Sequence, residues 1–218
     1  MKKFQRNFSE VGNPAGYTTQ IKAIIFDIDG VLADSREAIA HNTIRLMKDF
    51  GFDVTDARVK GMSSAHSAES VLIALAPSLS ADRAKLAAML DRLRELTNEN
   101  MALVKPSLLA AQVPAIAARY RLAAASNRKS SAIAVLRQIG IGKYFEAVMT
   151  SGDSPPKPDP TMIRRALEKL GVRAGEAVFV GDNLEDMQAG EGAGVRSIML
   201  DGMDRDACAA FVKEFLGL

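Results

Sequence analysis

The sequence predicts an α/β protein: a doubly wound, Rossmann-like parallel sheet core with a small all-helical domain inserted after the first strand. Beyond residue 106, short apolar runs that suit strands alternate with amphipathic helical patterns, as in a parallel sheet covered by helices. Between residues 34 and 106 only helical patterns occur, over more residues than a crossover connection needs. We therefore expect an N-terminal extension, a core and a helical domain, at 1–20, at 21–33 with 107–218, and at 34–106.

The composition favours a folded enzyme-like domain and disfavours several partners. Hydrophobic residues make up 48% of the 218 positions, enough for a full core. The 28 Lys and Arg residues nearly balance the 26 acids and are scattered, so we expect no nucleic-acid partner. We find no signal-peptide pattern and no apolar run of about 20 residues, and we expect a cytoplasmic protein with no membrane partner. Cys208 is the only cysteine, which excludes an internal disulfide, and we expect it to pack as a small apolar residue.

The first predicted strand, 22–29, carries two acids at its carboxyl end. The apolar run Ala23–Phe26 leads directly into Asp27 and Asp29, and Gly30 then permits a tight turn. Because side chains alternate between the faces of a strand, the two carboxylates project to the same side. Two acids at a buried strand end are costly unless a cation compensates them, so the pair predicts a ligand site. The alternative is that both acids only cap the following turn.

The inserted segment begins with a helix signal. Asp34 and Glu37 fit the spacing of a capping box at the start of the first helix. The apolar positions of that helix are expected on one face: Ile39, Thr43, Leu46, Met47 and Phe50. Further helices are predicted over about 67–76 and 81–103.

The remaining strands and helices alternate along the chain. Strands are predicted at 121–126, 146–151, 176–182 and 197–200. Helices are predicted at 107–119, 129–139, 160–170, 183–190 and 204–215. Polar residues follow three of these strands, at the edge where parallel sheets bind their ligands.

Each of these polar groups has a functional and a structural interpretation. Ser126 and Asn127 lie at a predicted helix entry, where they suit phosphate oxygens, although a serine there is often only an N-cap. Lys157 precedes a helix N-terminus and could complete an anion site, or it could be a surface lysine. Asp182 and Asp186 lie one helical turn apart and repel each other unless a cation is near, but capping and solvation would also explain them.

A parallel sheet would bring these groups together at one edge. Three carboxylates within about 4–6 Å would repel by roughly 4 kcal/mol per close pair at an effective dielectric constant of 20. A single lysine is too little positive charge to admit a phosphate as well. A set of oxygen ligands suits a hard, partly hydrated cation, and Mg²⁺ fits best. The residues expected to converge are Asp27, Asp29, Ser126, Lys157 and Asp182.

Over about residues 21–200 the chain resembles the haloacid-dehalogenase-like phosphohydrolases. Within that family it is similar to the helical-cap members, such as the phosphoglycolate phosphatases and the β-phosphoglucomutases. Four family motifs occur in order: FDIDGVLADS, the Ser126-Asn127 step, Lys157 in PPKPDP, and VGDNLEDMQAG. The resemblance implies that residues 34–106 form a helical cap domain, and the short stretch 151–176 leaves no room for the other cap type.

The resemblance also implies a role for each motif residue. Asp27 would be the nucleophile and Asp29 the general acid and base. The implied metal ligands are Asp27, Asp182 and the main-chain carbonyl of Asp29, with Asp186 supporting the metal and the lysine. The implied catalytic residues are Asp27, Asp29, Ser126 and Lys157. The expected contacts to the substrate are Asp27, Gly30, Ser126, Asn127 and Lys157.

These implications lead us to expect a magnesium-dependent phosphatase that hydrolyses a small phosphorylated metabolite through an aspartyl-phosphate intermediate. Asp29 argues against dehalogenation, because the family's dehalogenases lack an acid two residues past the nucleophile. A sugar-phosphate mutase is one alternative, although Ile39 and Ser64 stand where mutases would place a histidine and an arginine. A non-catalytic phosphate-binding module is the other. His66 is a candidate substrate contact.

Overall fold

A five-stranded parallel sheet forms the centre of the fold in the computed structural model, which describes residues 20–60 and 68–217. The strands are β1 (Ala23–Phe26), β2 (Ala33–Asp34), β3 (Lys105–Pro106), β4 (Arg121–Ser126), β5 (Ala147–Thr150), β6 (Ala177–Gly181) and β7 (Arg196–Met199). The large sheet has the order β5-β4-β1-β6-β7, and its neighbours pair in parallel. The predicted α/β class with a parallel sheet is confirmed.

Helices precede, connect and follow these strands. They are α1 (Arg36–Asp49), α2 (Asp56–Lys60), α3 (Ala68–Leu75), α4 (Arg83–Glu99), α5 (Val113–Ala117), α6 (Ala132–Gln138), α7 (Thr161–Leu170), α8 (Leu184–Gly192) and α9 (Arg205–Leu216). Short 3₁₀ turns lie at Pro77–Ser80, Met101–Leu103, Ala110–Gln112, Gly142–Tyr144 and Ala174–Glu176. Within the part of the chain that the structure describes, none of the helices has the combined length and hydropathy of a bilayer crossing.

The central strand β1 is buried on both faces, and each face has its own hydrophobic cluster. Ile24 and Phe26 pack with residues of α5, α6 and α9, whereas Ala23 and Ile25 pack with residues of α7 and α8. Helices therefore cover both faces of the sheet, which is the doubly wound arrangement. Cys208 of α9 is buried in the first of these clusters, so its predicted apolar packing is confirmed.

A third hydrophobic cluster belongs to α1–α4 and the turn that follows α3. Its members include Leu46 of α1, Leu72 of α3 and Met89 of α4. The chain enters and leaves this segment through β2 and β3, which pair antiparallel. Two-residue strands carry no periodicity, which is why the sequence patterns did not predict them. A separate helical domain is consistent with this cluster, and its exact boundaries at 34 and 106 stay a prediction.

The start of α1 differs from the predicted capping box. The N-cap residue is Ser35, and the Asp34 carboxylate instead pairs with the guanidinium of Arg36 at 2.7 Å. Asp34 belongs to β2 and lies one residue before the N-cap position, from which its Oδ1 accepts the amide of Arg36 at 3.2 Å, whereas the side chain of Ser35 makes no capping hydrogen bond. The prediction that Ile39 lies on the buried face of α1 is wrong. Its side chain is 41% exposed, and Ala38 is buried instead.

Gly202 joins the loop after β7 to the loop after β1, and we predict that it tolerates no side chain. Its amide donates to the carbonyl of Gly30 at 2.8 Å, and a Cβ would lie 1.9 Å from the carbonyl oxygen of Val31. Because the clash is with backbone, Gly202→Ala should lower the free energy of unfolding by about 3 kcal/mol or more. Gly51→Ala, at a left-handed but open position, should cost only about 1 kcal/mol. Urea unfolding measures both values, and equal costs would contradict this account.

Glu176 ties the start of β1 to the turn before β6, and we predict a pH-dependent contribution to stability. Its carboxylate accepts from Lys22 Nζ at 2.7 Å, and from the Arg173 amide at 2.9 Å and the Arg173 guanidinium at 3.1 Å. These bonds, of which the one from the Arg173 side chain has the largest effect, lower the pKa of the Glu176 carboxyl from 4.5 to about 2. A lowered pKa stabilises the fold above pH 4.5, and the effect is lost as the pH falls through about 2.

Glu176→Gln should therefore unfold more easily than the wild type at pH 7. The difference should shrink as the pH falls from about 4.5 towards about 2. Urea unfolding at a series of pH values measures it, and Glu168→Gln, at an exposed position on α7, serves as the matched control. A difference for Glu176→Gln that is constant across that range would show that its carboxylate contributes nothing through charge.

Candidate active site

The predicted site residues meet at the carboxyl edge of the large sheet. Asp27 directly follows β1, Ser126 ends β4 and Asp182 directly follows β6. Lys157 comes from the loop after β5, and its ammonium reaches the end of β1. The edge is the one where parallel sheets bind their ligands, because the loops that follow the strands diverge there.

Lys157 is the positive centre of the site. Its side chain is only 3% exposed, so the alternative of a surface lysine is wrong. The ammonium donates to Asp27 Oδ1 at 2.5 Å and to the carbonyl of Ala125 at 2.9 Å. It also forms an ion pair with Asp186 Oδ1 at 2.6 Å, an oxygen that accepts no properly oriented hydrogen bond from the described residues. Burial lowers the pKa of Lys157, but the charges of Asp27 and Asp186 outweigh it and raise that pKa to about 12.

Three carboxylates surround this lysine, and together they carry more charge than it balances. Asp27, Asp182 and Asp186 each present an oxygen within 4.8 Å of the others. Burial raises the pKa of Asp27 to about 8, since Asp186 and Asp29 add to the effect and Lys157 only partly opposes it. Burial, followed by the charge of Asp186, raises the pKa of Asp182 to about 6. A cluster of oxygen donors with uncompensated negative charge fits a hard metal cation.

Two glycines make room for these carboxylates. Gly30 has φ +83°, and a Cβ there would lie 1.8 Å from Asp182 Oδ2. A Cβ on Gly181 would lie 2.5 Å from Asp186 Oδ2, which accepts the amide of Asp182 at 3.1 Å. Asn183 rather than Asp182 caps α8, so the alternative of a capping role for Asp182 is wrong. The contact of Gly30 with the substrate stays a prediction, and the structure gives this glycine a second reason to lack a side chain.

Asn127 joins two of the loops that form the site. Its Oδ1 accepts the amide of Lys157 at 2.7 Å, and its Nδ2 donates to the carbonyl of the same residue at 3.2 Å. The predicted helix entry at this point is wrong, because α6 begins only at Ala132. Ser126 is buried, and its hydroxyl accepts the amide of Arg128 at 3.2 Å. The substrate contacts of Ser126 and Asn127 stay predictions, and the amide of Asn127 has the additional role of holding the Lys157 loop.

The side chain of Asp29 is engaged with a residue that the sequence analysis missed. Its carboxylate forms a two-pronged pair with Arg128, whose Nε and Nη2 donate at 2.7 and 2.6 Å. Burial raises the pKa of Asp29, but the charge and hydrogen bonds of Arg128 outweigh it, and the pKa lies below its usual value of 3.8. The available signal was a cation directly after the Ser126-Asn127 step. The contact of the Asp29 carbonyl with a metal stays a prediction.

Two residues weighed in the sequence analysis fall outside this description. Ser64 and His66 lie between residues 60 and 68, outside the described part of the chain. The site described above is therefore built from the core strands and their loops alone.

Known proteins are similar to this chain over most of its length. The family described as haloacid dehalogenase-like hydrolase matches residues 24–200. A phosphoglycolate phosphatase of Cupriavidus necator is 32% identical over 79% of this chain and 78% of its own length, and the pyrophosphatase PpaX of Bacillus velezensis is 28% identical over 82% of both. The crystal structure of CbbY from Rhodobacter sphaeroides in complex with phosphate is 25% identical, covers 83% of this chain and 86% of its own, and has a TM-score of 0.65. The predicted family is confirmed: the chain belongs to the haloacid dehalogenase-like hydrolases.

Proposed function

We propose that this protein is a Mg²⁺-dependent phosphatase that hydrolyses small phosphate monoesters through a phosphorylated Asp27. The observation that carries the proposal is the buried Asp27 carboxylate at the end of β1, held by Lys157 beside Asp182 and Asp186. The names of the relatives support it, since both describe hydrolysis at a phosphoryl group.

Asp27 is the nucleophile in this proposal. Lys157 holds its Oδ1, so we assign the attack to Oδ2. A bond forms between Oδ2 and phosphorus while the bond from phosphorus to the leaving oxygen breaks. Water then attacks the phosphorus, breaks the bond to Oδ2 and restores the carboxylate. A covalent intermediate of this kind divides one difficult step into two easier ones.

Asp29 manages the protons in both steps. It gives a proton to the leaving oxygen as the first bond breaks, and it takes one from the attacking water in the second step. Positioned acid and base groups of this kind contribute typically about 10²–10⁴-fold to the rate. The side chain lies near Asp27, because its charge contributes to the raised pKa of the Asp27 carboxyl.

Lys157, Ser126 and the metal site stabilise the transferred group. We assign the Lys157 ammonium and the Ser126 hydroxyl to oxygens of the phosphoryl group, where fixed donors offset the charge of the transition state. We assign Mg²⁺ to Asp27 and Asp182, with Asp186 supporting them. When bound, Mg²⁺ would offset the negative charge of the carboxylates and of the phosphoryl oxygens.

We favour a phosphatase over a mutase because of the residue at position 39. A mutase returns the phosphoryl group to a second site on the sugar and needs a proton-transfer group on the cap. The resemblance places that group at Ile39, whose side chain is apolar and 41% exposed. An apolar side chain can neither take nor give a proton, so hydrolysis is the better-supported reaction.

Asp27→Asn should abolish hydrolysis of p-nitrophenyl phosphate in the presence of Mg²⁺, because an amide cannot attack phosphorus. We expect a loss of about 10³-fold or more. Acid quenching during turnover, followed by mass spectrometry, should find one added phosphoryl group on the wild type and none on the variant. Circular dichroism checks that the variant is folded.

The matched control is Asp91→Asn, on the exposed surface of α4, with its carboxylate 67% exposed. It should hydrolyse the substrate at the wild-type rate. Equal rates for Asp27→Asn and the wild type would remove Asp27 from the reaction. Phosphate binding by the wild type without turnover of any phosphate monoester would favour the non-catalytic module.

A further inference from the structure

Arg128 makes a two-pronged contact with Asp29 that has no part in the mechanism proposed above. Its guanidinium lies side-on to the Asp29 carboxylate, with Nε 2.7 Å from Oδ2 and Nη2 2.6 Å from Oδ1. The side chain of Arg128 is 12% exposed and that of Asp29 is 26% exposed. Two-pronged pairs between arginine and a carboxylate fix the orientation of both planes, which a single ion pair does not.

The guanidinium is itself held in place by its own loop. Its Nη1 donates to the hydroxyl of Ser131 at 3.1 Å. The backbone of Arg128 is bonded at both ends, because its amide donates to Ser126 Oγ at 3.2 Å and its carbonyl accepts the amide of Ser151 at 3.1 Å. Arg128 therefore links the loops after β4 and β5 to Asp29, which follows β1, and holds the Asp29 carboxylate in a fixed position relative to those loops.

The hydrogen bonds distinguish the two oxygens of Asp29. Oδ1 accepts from Arg128 Nη2 and from the hydroxyl of Ser35 at 2.5 Å, whereas Oδ2 accepts from Arg128 Nε. A carboxylate oxygen has two lone-pair positions. Both positions of Oδ1 are occupied by these two bonds, and the Nε bond occupies one position of Oδ2. The geometry therefore makes Oδ2 the oxygen that can exchange a proton with a reacting group.

We propose that Arg128 is a positioning residue for the proposed phosphatase reaction. Its two-pronged contact, the fork of Nε and Nη2, fixes the orientation of the Asp29 carboxylate so that Oδ2 exchanges the proton in both steps. This inference rests on the proposed function. In the first step, a proton held on Oδ2 passes to the leaving oxygen as the bond to phosphorus breaks. The contact with Arg128 by itself favours the ionised carboxylate, so Arg128 contributes the direction of Oδ2 to this step and not its proton. In the second step, ionised Oδ2 takes a proton from water as the oxygen of that water bonds to phosphorus.

Two substrates with different leaving groups test the role of Arg128. p-Nitrophenolate is a weak base that leaves with little help, whereas phenolate, with a conjugate acid of pKa about 10 like that of tyrosine, needs a proton more. Arg128→Gln should lower kcat/KM for phenyl phosphate by about 10–100-fold and for p-nitrophenyl phosphate by less than about threefold. A role limited to structure would lower both values equally, and that result would overturn the inference.

A double variant tests whether Arg128 acts through Asp29. If it does, adding Arg128→Gln to Asp29→Asn should lower kcat/KM for p-nitrophenyl phosphate little further, because the positioned group is already gone. Independent, multiplicative losses would contradict the inference. Arg128→Lys keeps the charge but not the fork, so it should rescue the phenyl phosphate rate only in part. Full rescue by lysine would show that charge rather than orientation matters.

Controls separate this inference from the proposed function. Lys129→Gln removes a positive charge from the neighbouring exposed position and should leave both kcat/KM values unchanged. Urea unfolding identifies any variant that loses activity through instability. Inactivity of the wild type on both substrates would contradict the proposed function together with this inference. An active wild type with equal rates for Arg128→Gln would contradict this inference alone.

Discussion

The buried contact between Lys157 and two aspartates is the interaction on which the rest of the site depends. The ammonium lies 2.5 Å from Asp27 and 2.6 Å from Asp186, and the three side chains are exposed by 6% or less. Removing an ion from water costs several kcal/mol unless nearby groups compensate it, so the lysine requires both acids. Asp182 adds a third carboxylate to the same group. The site as a whole is therefore short of positive charge, and this shortage is what makes it suited to a cation.

The backbone of the sheet and its loops, rather than long side chains, brings these charged groups close together. Parallel strands β1 and β6 are neighbours in the sheet, so the residues that follow them start close together. Gly30 and Gly181 leave space that the carboxylates of Asp182 and Asp186 fill. Asn127 then holds the amide and the carbonyl of Lys157 through two hydrogen bonds, which fix the position of the Lys157 backbone in the site.

The sequence predicts the centre of the site well, because strand ends are visible as a change from apolar to charged residues. Asp27 and Asp182 each follow an apolar run directly, and parallel pairing alone is enough to bring them together. The position of Lys157 before a helix N-terminus predicts an anion site, but a surface lysine fits the same pattern, since its loop has no regular periodicity. Its burial and its contact with Asp186 depend on the course of that loop in three dimensions, which the spacing of residues does not contain.

The contacts that the sequence does not predict are those between side chains from distant loops. Arg128 and Asp29 are 99 positions apart, and nothing in either segment indicates that one orients the other. Other differences lie at the start of α1. Asp34 lies one residue before the N-cap position of α1 because it pairs in β2. Ile39 is exposed although the spacing of seven residues places it on the same side of α1 as the buried Leu46. Propensity and spacing describe single elements, and in these cases tertiary contacts decide between alternatives of similar local energy.

Calorimetric titration of Mg²⁺ into the wild type and into Asp182→Asn tests the central claim most directly, because it measures the demand for a cation without requiring turnover. Asp91→Asn, with an exposed carboxylate, is the control for a change of net charge. The account predicts one binding site on the wild type and on the control, and an affinity at least about tenfold weaker in Asp182→Asn. Equal affinity of all three proteins, or no binding by the wild type, would contradict it.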